Sequence, residues 1–235
     1  MELQGLKIDC ISDTHMRHNN LELPGGDILI HAGDATGRGS DEEITQFLDW
    51  FQKQDYKHLV LIAGNHDWGY ETKPQLWAKE CESRNIHLLN DSGVELEGIK
   101  FWGSPVQPEF CNWAFNRNRG EDIKKHWDLI PNDTDVLVTH GPPHKMRDEA
   151  PRRHNHGGKG HENVGCVDLW NKILETKVKM HVFGHIHEGA GHTYFMDRLF
   201  VNASSLDGRY GQRYPGFTRI VKEGESYVVD LPTQS

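Results

Sequence analysis

Apolar residues gather along this chain in short, evenly spaced runs that end on glycine or on a polar residue. LKIDCIS (6–12), DILIHAG (27–33) and HLVLIAG (58–64) are mostly aliphatic at consecutive positions. That is the pattern of strands covered on both faces. Between the second and third, DEEITQFLDWFQKQ (41–54) sets Ile44, Phe47, Leu48 and Phe51 at helical spacing, with Asp41 the expected cap. PQLWAKECESR (74–84) predicts a helix with Pro74 in its first turn. The first part of the chain thus alternates strand and helix, apart from a loop-like link at 14–26.

The pattern then changes. Short strands are predicted at 86–89, 93–98 and 99–104, a helix at 120–130 and a strand at 135–141 (DVLVTHG). Residues 142–163 read as one long polar loop. A helix follows at 164–177, with Val167, Trp170, Ile173 and Leu174 expected on its buried face. KMHVFGHIH (179–187) predicts a strand running into a turn, and 199–204, 216–221 and 226–231 predict closing strands. No repeat, linker or low-complexity tract interrupts the chain, so a single domain over 1–235, two packed sheets with outer helices, is the expected architecture.

Composition narrows the function classes. The 235 residues carry a net charge of -9 and are 36% hydrophobic, with a mean hydropathy of -0.70. An acidic chain is a poor general binder of long nucleic acid but can take a small phosphate ester through metal ions. No apolar run approaches the ~18 residues of a membrane span. The opening MELQGLKIDC lacks an apolar leader core, so the cytoplasm is the expected location. Cys10, Cys81, Cys111 and Cys166 are scattered and are expected to be buried thiols rather than a disulfide frame.

The 16 histidines supply the candidate chemistry, because several stand where apolar runs end. CISDTH gives Asp13 and His15; LIHAGD gives Asp34; LIAGNHD gives Asn65, His66 and Asp67; VLVTHG gives His140; HVFGHIH gives His185 and His187. The Asp13/His15 pair alone carries little weight, and GNHD or GHIH alone has a polar turn as its alternative. Five strands delivering carboxylate, amide or imidazole at their carboxyl ends is a ligand-binding arrangement. The donors are oxygen and nitrogen with no thiolate, which suits Mn, Fe or Zn. They outnumber the needs of one ion and fit two ions sharing a carboxylate, a pair able to clamp a phosphate and activate a water.

The series DTH (13–15), GD (33–34), GNHD (64–67), THG (139–141) and GHIH (184–187) resembles that of the calcineurin-like metallophosphoesterases. GSPVQPEFCNWAFNRNRG (103–120), THGPP (139–143), VGC (164–166) and GHIHEGAG (184–191) make the chain most similar to the small metallophosphoesterase-domain proteins related to the brain-expressed 239 family. The resemblance implies a four-layer α-β-β-α sandwich and two divalent metal ions, with manganese the expected form in vitro. It implies that Asp13, His15, Asp34 and His187 hold the first ion, and Asp34, Asn65, His140 and His185 the second, with Asp34 bridging. It also implies that His66 is not a ligand but sits over the site and protonates the leaving oxygen. Some animal relatives carry glycine in place of His185; this chain keeps the imidazole.

The expected activity is therefore hydrolysis of small phosphodiesters, cyclic nucleotides among them, by hydroxide generated between the two ions. A phosphomonoesterase, a nuclease on short strands, and a non-catalytic scaffold are the alternatives. Asp34, His66 and Asp67 are the expected catalytic residues, Asp67 through orientation of His66 or a ligand. Asn65, His66, Asn116 and Arg119 are expected toward substrate, with packing the alternative for the last two. Cys111 and Trp113 are expected to pack, and His144 to lie at the surface; His192 is noted without a role. The long loop brings His154, His156, Lys159 and His161, either over the site or as a solvated insertion. The expected partner is a small phosphodiester or nucleotide, with no membrane; oligomeric state is left open.

Overall fold

The computed structural model describes residues 5–152 and 160–230. His154, His156 and Lys159 lie outside them. In chain order the strands and helices are β1 (Leu6–Ile11), β2 (Gly26–Ala32), α1 (Asp41–Phe51), β3 (Tyr56–Ile62), α2 (Trp68–Thr72), α3 (Pro74–Glu82), β4 (Ile86–Leu88), β5 (Ser92–Leu96), β6 (Ile99–Ser104), β7 (Gln107–Pro108), β8 (Asn116–Arg117) and α4 (Glu121–Trp127). They continue with β9 (Val136–Thr139), β10 (Glu149–Pro151), β11 (His161–Asn163), α5 (Val167–Glu175), β12 (Met180–Phe183), β13 (Gly191–Phe195), β14 (Arg198–Asn202), β15 (Thr218–Glu223) and β16 (Ser226–Val229).

Two six-stranded sheets result, ordered β16-β15-β1-β2-β3-β4 and β13-β14-β12-β9-β6-β5. In the first, β1, β2, β3 and β4 run parallel, so their carboxyl ends lie on one side. In the second, β6, β9, β12 and β14 do the same. The sheets face each other across a core that includes Ile8, Ile30, Val60 and Ile62 from the first and Phe101, Val138, Val182 and Val201 from the second. The opposite face of the first sheet packs on α1 and α3 through Leu29, Leu61, Phe47, Phe51 and Trp77. That of the second packs on α4 and α5 through Leu137, Phe200, Trp127 and Ile173. This is the four-layer α-β-β-α arrangement expected. It also explains why the central strands read as continuous apolar runs: both of their faces are buried.

Local corrections have physical reasons. Helix α1 buries Ile44, Phe47, Leu48 and Phe51 as expected, but its cap is Ser40, which forms a reciprocal capping box with Glu43. Asp41 is the first helical residue and pairs with Lys73 instead. Helix α5 buries Leu169 and Ile173, while the expected Val167 and Leu174 are 46% and 42% exposed. Its apolar residues share one broad face, and the edge of that face carrying Leu169 and Ile173, toward Trp127 of α4, is the part buried. Helix α2, the short ribbons β7/β8 and β10/β11, and strand β13 had no periodic signal. The long polar segment is therefore partly ordered, with β10 and β11 paired antiparallel. Cys10, Cys81 and Cys166 are buried but the Cys111 thiol is exposed, contrary to expectation. Among the described residues, no helix is long and apolar enough to cross a membrane.

One buried ion pair ties the sheet margin to its centre. Asp9 on β1 is fully buried and takes two hydrogen bonds from Arg219 on β15, Nε to Oδ1 at 2.9 Å and Nη2 to Oδ2 at 2.6 Å, plus one from the Tyr56 hydroxyl. Removing the guanidinium strands a buried carboxylate. Arg219→Met should therefore destabilise the protein by ~3–5 kcal/mol in denaturant unfolding, and Asp9→Asn added to it should recover part of that. A loss under ~1 kcal/mol would mean water reaches Asp9.

Candidate metal centre

The carboxyl ends of β1, β2, β3, β9 and β12 converge, and the loops that follow carry the predicted residues. Three overlapping groups form: Asp13, His15 and His187; His15, Asp34 and His66; and Asp34, His140 and His185. In each, the donor atoms lie within 4.8 Å of one another. Asp34 and His15 each belong to two groups. The Asn65 amide oxygen lies 3.0 Å from His140 Nε2, beside the third. All seven residues expected to hold metal are thus brought together.

The backbone is bent to achieve this. Asp13, His15, Asp34 and His185 have φ of 54°, 40°, 56° and 68°. For residues with a Cβ this left-handed region costs about 1–2 kcal/mol each, strain of the sort held at functional sites. Two glycines permit the close approach. A Cβ on Gly64 would collide with Asp34 Oδ1, and one on Gly184 with Asp13 Oδ2 and Ser12 Oγ.

Each of four imidazoles is oriented by its Nδ1. The acceptors are Thr36 O for His15 at 3.2 Å, Ala32 O for His140 at 3.0 Å, Asp207 O for His187 at 3.0 Å and Gly37 O for His66 at 2.7 Å. Their Nε2 atoms are left for the centre. His15 Nε2 is 3.8 Å from Asp34, His140 Nε2 3.3 Å from Asp34, and His187 Nε2 3.4 Å from Asp13. His15 Nε2 is buried with no hydrogen-bond partner. Imidazoles fixed by a carbonyl at one nitrogen, converging with carboxylates through the other, suit divalent metal. The donor set fits two ions sharing Asp34.

Electrostatics agree. Burial opposes ionisation of Asp13, but the hydrogen bond and charge of His187 outweigh it and hold the carboxyl well below its usual range. Burial likewise opposes charge on Asp34, and the charge and hydrogen bond of His140 reverse it, lowering its pKa. Burial alone would keep His140 and His187 neutral, yet the facing carboxylates, chiefly Asp34 and Asp13 respectively, raise them to about 9. Burial keeps His185 neutral, its pKa lowered to about 4. Without metal, two carboxylates are compensated by two imidazolium groups.

The remaining predicted residues divide. His66 stands beside the ligand set, its ring 4.7 Å from that of His15. Its backbone N–H donates to Asp34 Oδ1 at 2.8 Å. Asp67 does not touch the His66 ring. Its oxygens accept from the N–H groups of Ala35, Thr36 and Gly64 and from the Thr36 hydroxyl, which ties the loop after β2 to the loop after β3. These bonds fit the alternative in which Asp67 orients a ligand rather than His66. Burial, then the charge of Asp34, raise its pKa to about 6 despite those bonds.

The Asn116 amide bonds within its own loop, accepting from Gln107 and donating to the carbonyls of Phe110 and Cys111, which is the packing alternative. Arg119 reaches across to Gly165 O and Val164 O. His144 is half-buried, 3.7 Å from Asp148, and His161 is exposed on β11. His192 is half-buried on β13.

Three aromatic residues at the mouth were missed as site residues. Trp113 stacks on His66 with centroids 4.2 Å apart, so it packs as expected but on a site group. Tyr210 meets the rings of His15 and His187 at 5.0 and 5.3 Å. Phe110 stands edge-on to His185 at 6.2 Å. All three line the cavity of about 210 Å³ over the cluster. Ser204 was missed too; its hydroxyl donates to Asp13 Oδ2 at 2.9 Å. These residues sit on loops, and only the stretch 103–120 carried any signal.

The double sheet presents shared His and Asp clusters at its strand tips, and with the family match below this makes the protein a metal-dependent phosphoester hydrolase. Its fold matches solved structures at low identity. Phosphopantetheinyl hydrolase from Mycobacterium tuberculosis aligns with TM-score 0.62 and 15% identity over 98% of each chain. The protein TT1561 of Thermus thermophilus aligns with TM-score 0.62 and 12% identity over 97% of this chain and 99% of its own. The family model of the calcineurin-like phosphoesterases matches residues 6–189, and the chain belongs to that family. The human metallophosphoesterase domain-containing protein 1 is 35% identical, covering 95% of this chain and 70% of that protein. The UPF0046 protein K07C11.7 of Caenorhabditis elegans is 34% identical, covering 86% and 70%. The family generally binds two divalent metals.

The charge balance and the close approach at Gly184 each have a measurable consequence. Metal loading near pH 7.5 should expel about two protons per chain, from His140 and His187, read from binding enthalpies in buffers of different ionisation enthalpy. In chelated protein these raised imidazoles add stability that is complete below about 6.5 and lost as pH rises through about 9. The melting temperature should fall across that window; a flat profile with no proton release would mean the imidazoles start neutral. Separately, Gly184→Ala should displace Asp13 and weaken metal binding about 10–100-fold with the circular dichroism spectrum retained. Unaltered affinity in a chelator competition would show that Asp13 is not a ligand.

Proposed function

We propose that the chain is a phosphodiesterase for small diesters, cyclic nucleotides among them, using two divalent cations bridged by Asp34. The observation that carries the diester preference is the lining of the mouth. Besides the cluster it presents Phe110, Trp113, Tyr210 and one carboxylate, Glu188, with no Lys or Arg among the described lining residues. A diester brings one negative charge and a monoester up to two, so a mouth without a fixed cation suits the diester.

Asp13, His15, Asp34 and His187 would hold one cation, and Asp34, Asn65, His140 and His185 the other. When bound, such a pair neutralises phosphoryl oxygens and lowers the pKa of a water held between them. The chain's own groups do the rest. His66, braced by Gly37 O and by the Trp113 face, is left with Nε2 to give a proton to the leaving oxygen. Trp113 against His66, and Tyr210 against His15 and His187, line the mouth over the cluster.

The test compares bis-p-nitrophenyl phosphate with p-nitrophenyl phosphate on manganese-loaded protein. The diester should be preferred in kcat/KM by at least about tenfold; preference for the monoester would overturn the reading. His66→Ala should keep metal and lower kcat by ~10²–10⁴ for alkoxide leaving groups and less for nitrophenolate. Identical losses for both leaving groups, or lost metal, would refute proton donation by His66.

A further inference from the structure

Two buried histidines stand outside the ligand set, yet each touches a residue next to it in the chain. His31 and His181 are fully buried and lie on the helix-facing sides of opposite sheets. His31, on β2, sits against Phe47 and Phe51 of α1, with ring centroids 4.9 and 6.2 Å away. His181, on β12, sits against Phe183 and Phe200, at 4.9 and 6.0 Å. An aliphatic side chain would fill either place without burying a polar ring. The hydrogen bonds show what the imidazole adds.

The two contacts have the same form. His31 Nε2 lies 3.0 Å from Thr14 Oγ1, and His181 Nε2 lies 2.8 Å from Thr139 Oγ1. Thr14 stands between Asp13 and His15, and Thr139 directly precedes His140. Each hydroxyl has one proton to give and a carbonyl to receive it: Ala35 O at 3.5 Å from Thr14, and Gly141 O at 2.7 Å from Thr139. The imidazole is then the donor, through Nε2–H. At His31 the other nitrogen agrees, because Nδ1 accepts from the N–H of Gly33, the residue before Asp34, at 3.3 Å. At His181 Nδ1 is buried with no partner among the described residues, so this ring is a poor filler for an apolar wall. Burial holds both rings neutral, their pKa lowered to about 3. The ligands His15, His140 and His187 have the opposite tautomer, with Nδ1 on a carbonyl.

We propose that His31 and His181 are positioning residues for the metal centre, each acting through a threonine hydroxyl. His31 fixes the loop of Asp13 and His15 against the residue before Asp34. His181 fixes the tip of β9, where His140 begins. The inference rests on the two-ion reading of the cluster and assigns one imidazole beneath each ion: His31 under the first set and His181 under the second.

Manganese titration by calorimetry tests this. His31→Leu and Thr14→Val should each weaken binding about 10–100-fold, and so should His181→Leu and Thr139→Val. His31→Gln and His181→Gln, which keep a side-chain N–H donor, should recover most of the affinity. In a His140→Ala background, His181→Leu should cost nothing further, since it acts through that ligand, while His31→Leu still weakens binding. A proton–nitrogen correlation spectrum of the chelated protein near neutral pH should show both rings as neutral Nε2–H tautomers. Unmoved affinity in whichever leucine and valine variants fold, with only the melting temperature changed, overturns the proposal, as does an Nδ1–H tautomer at these rings. The two readings fail separately. Saturation of the wild type at one ion, with affinity lowered in the variants, defeats only the two-ion reading. Two ions bound with unmoved affinities defeats only the positioning role.

Discussion

Compensation of two buried carboxylates governs the strand tips. Asp13 and Asp34 are 0% and 2% exposed. An isolated charge in such a place is untenable without partners. His187 and His140 provide them as imidazolium, and metal ions replace those protons when the site is loaded. The left-handed backbone at Asp13 and Asp34, the glycines at 64 and 184, and the carbonyls that aim the imidazoles all serve to keep opposite charges within a few ångströms. The Asp67 carboxylate, by fastening the loops after β2 and β3 through four hydrogen bonds, keeps Asp34 and Asn65 from drifting apart.

The sheets are shaped around the same need. Parallel strands put their carboxyl ends on one side, so β1, β2 and β3 of one sheet and β9 and β12 of the other can each deliver a polar group to a common volume. Facing sheets bring His140 and His185 opposite Asp34, residues more than a hundred positions apart in the chain. The rigid inter-sheet core then fixes the spacing that a flexible loop cluster could not hold.

Legibility in the sequence tracked how local each cause was. Continuous apolar runs such as LVLI at 59–62 announced doubly covered strands, and the polar groups after them announced the cluster. The α1 face was legible because four large apolar residues recur on one side of an otherwise polar helix. The α5 face was legible only in part, because its apolar residues span a broad arc and packing against α4 decides which edge of it is covered. Trp113, Tyr210 and Ser204 reach the site by loop geometry, which leaves no periodic trace. For Asn116 and Asp67 residue type left two roles open, and their hydrogen bonds to neighbouring loops come from tertiary contacts that leave no local signal. The five-residue α2 and the two-residue β7 and β8 are too short for any period to register.

The pairing of β1 with β15 has a consequence for the newborn chain. β1 emerges from the ribosome well before its antiparallel partner at residues 218–222, which comes roughly 200 residues later. At about 5–20 residues per second of synthesis, one edge of β1 waits tens of seconds with its N–H and C=O groups unclaimed. An open apolar edge of that kind invites pairing with other chains. Folding of the first sheet is therefore closed from the C-terminal side, and chains stalled before β15 are the ones that would need a chaperone.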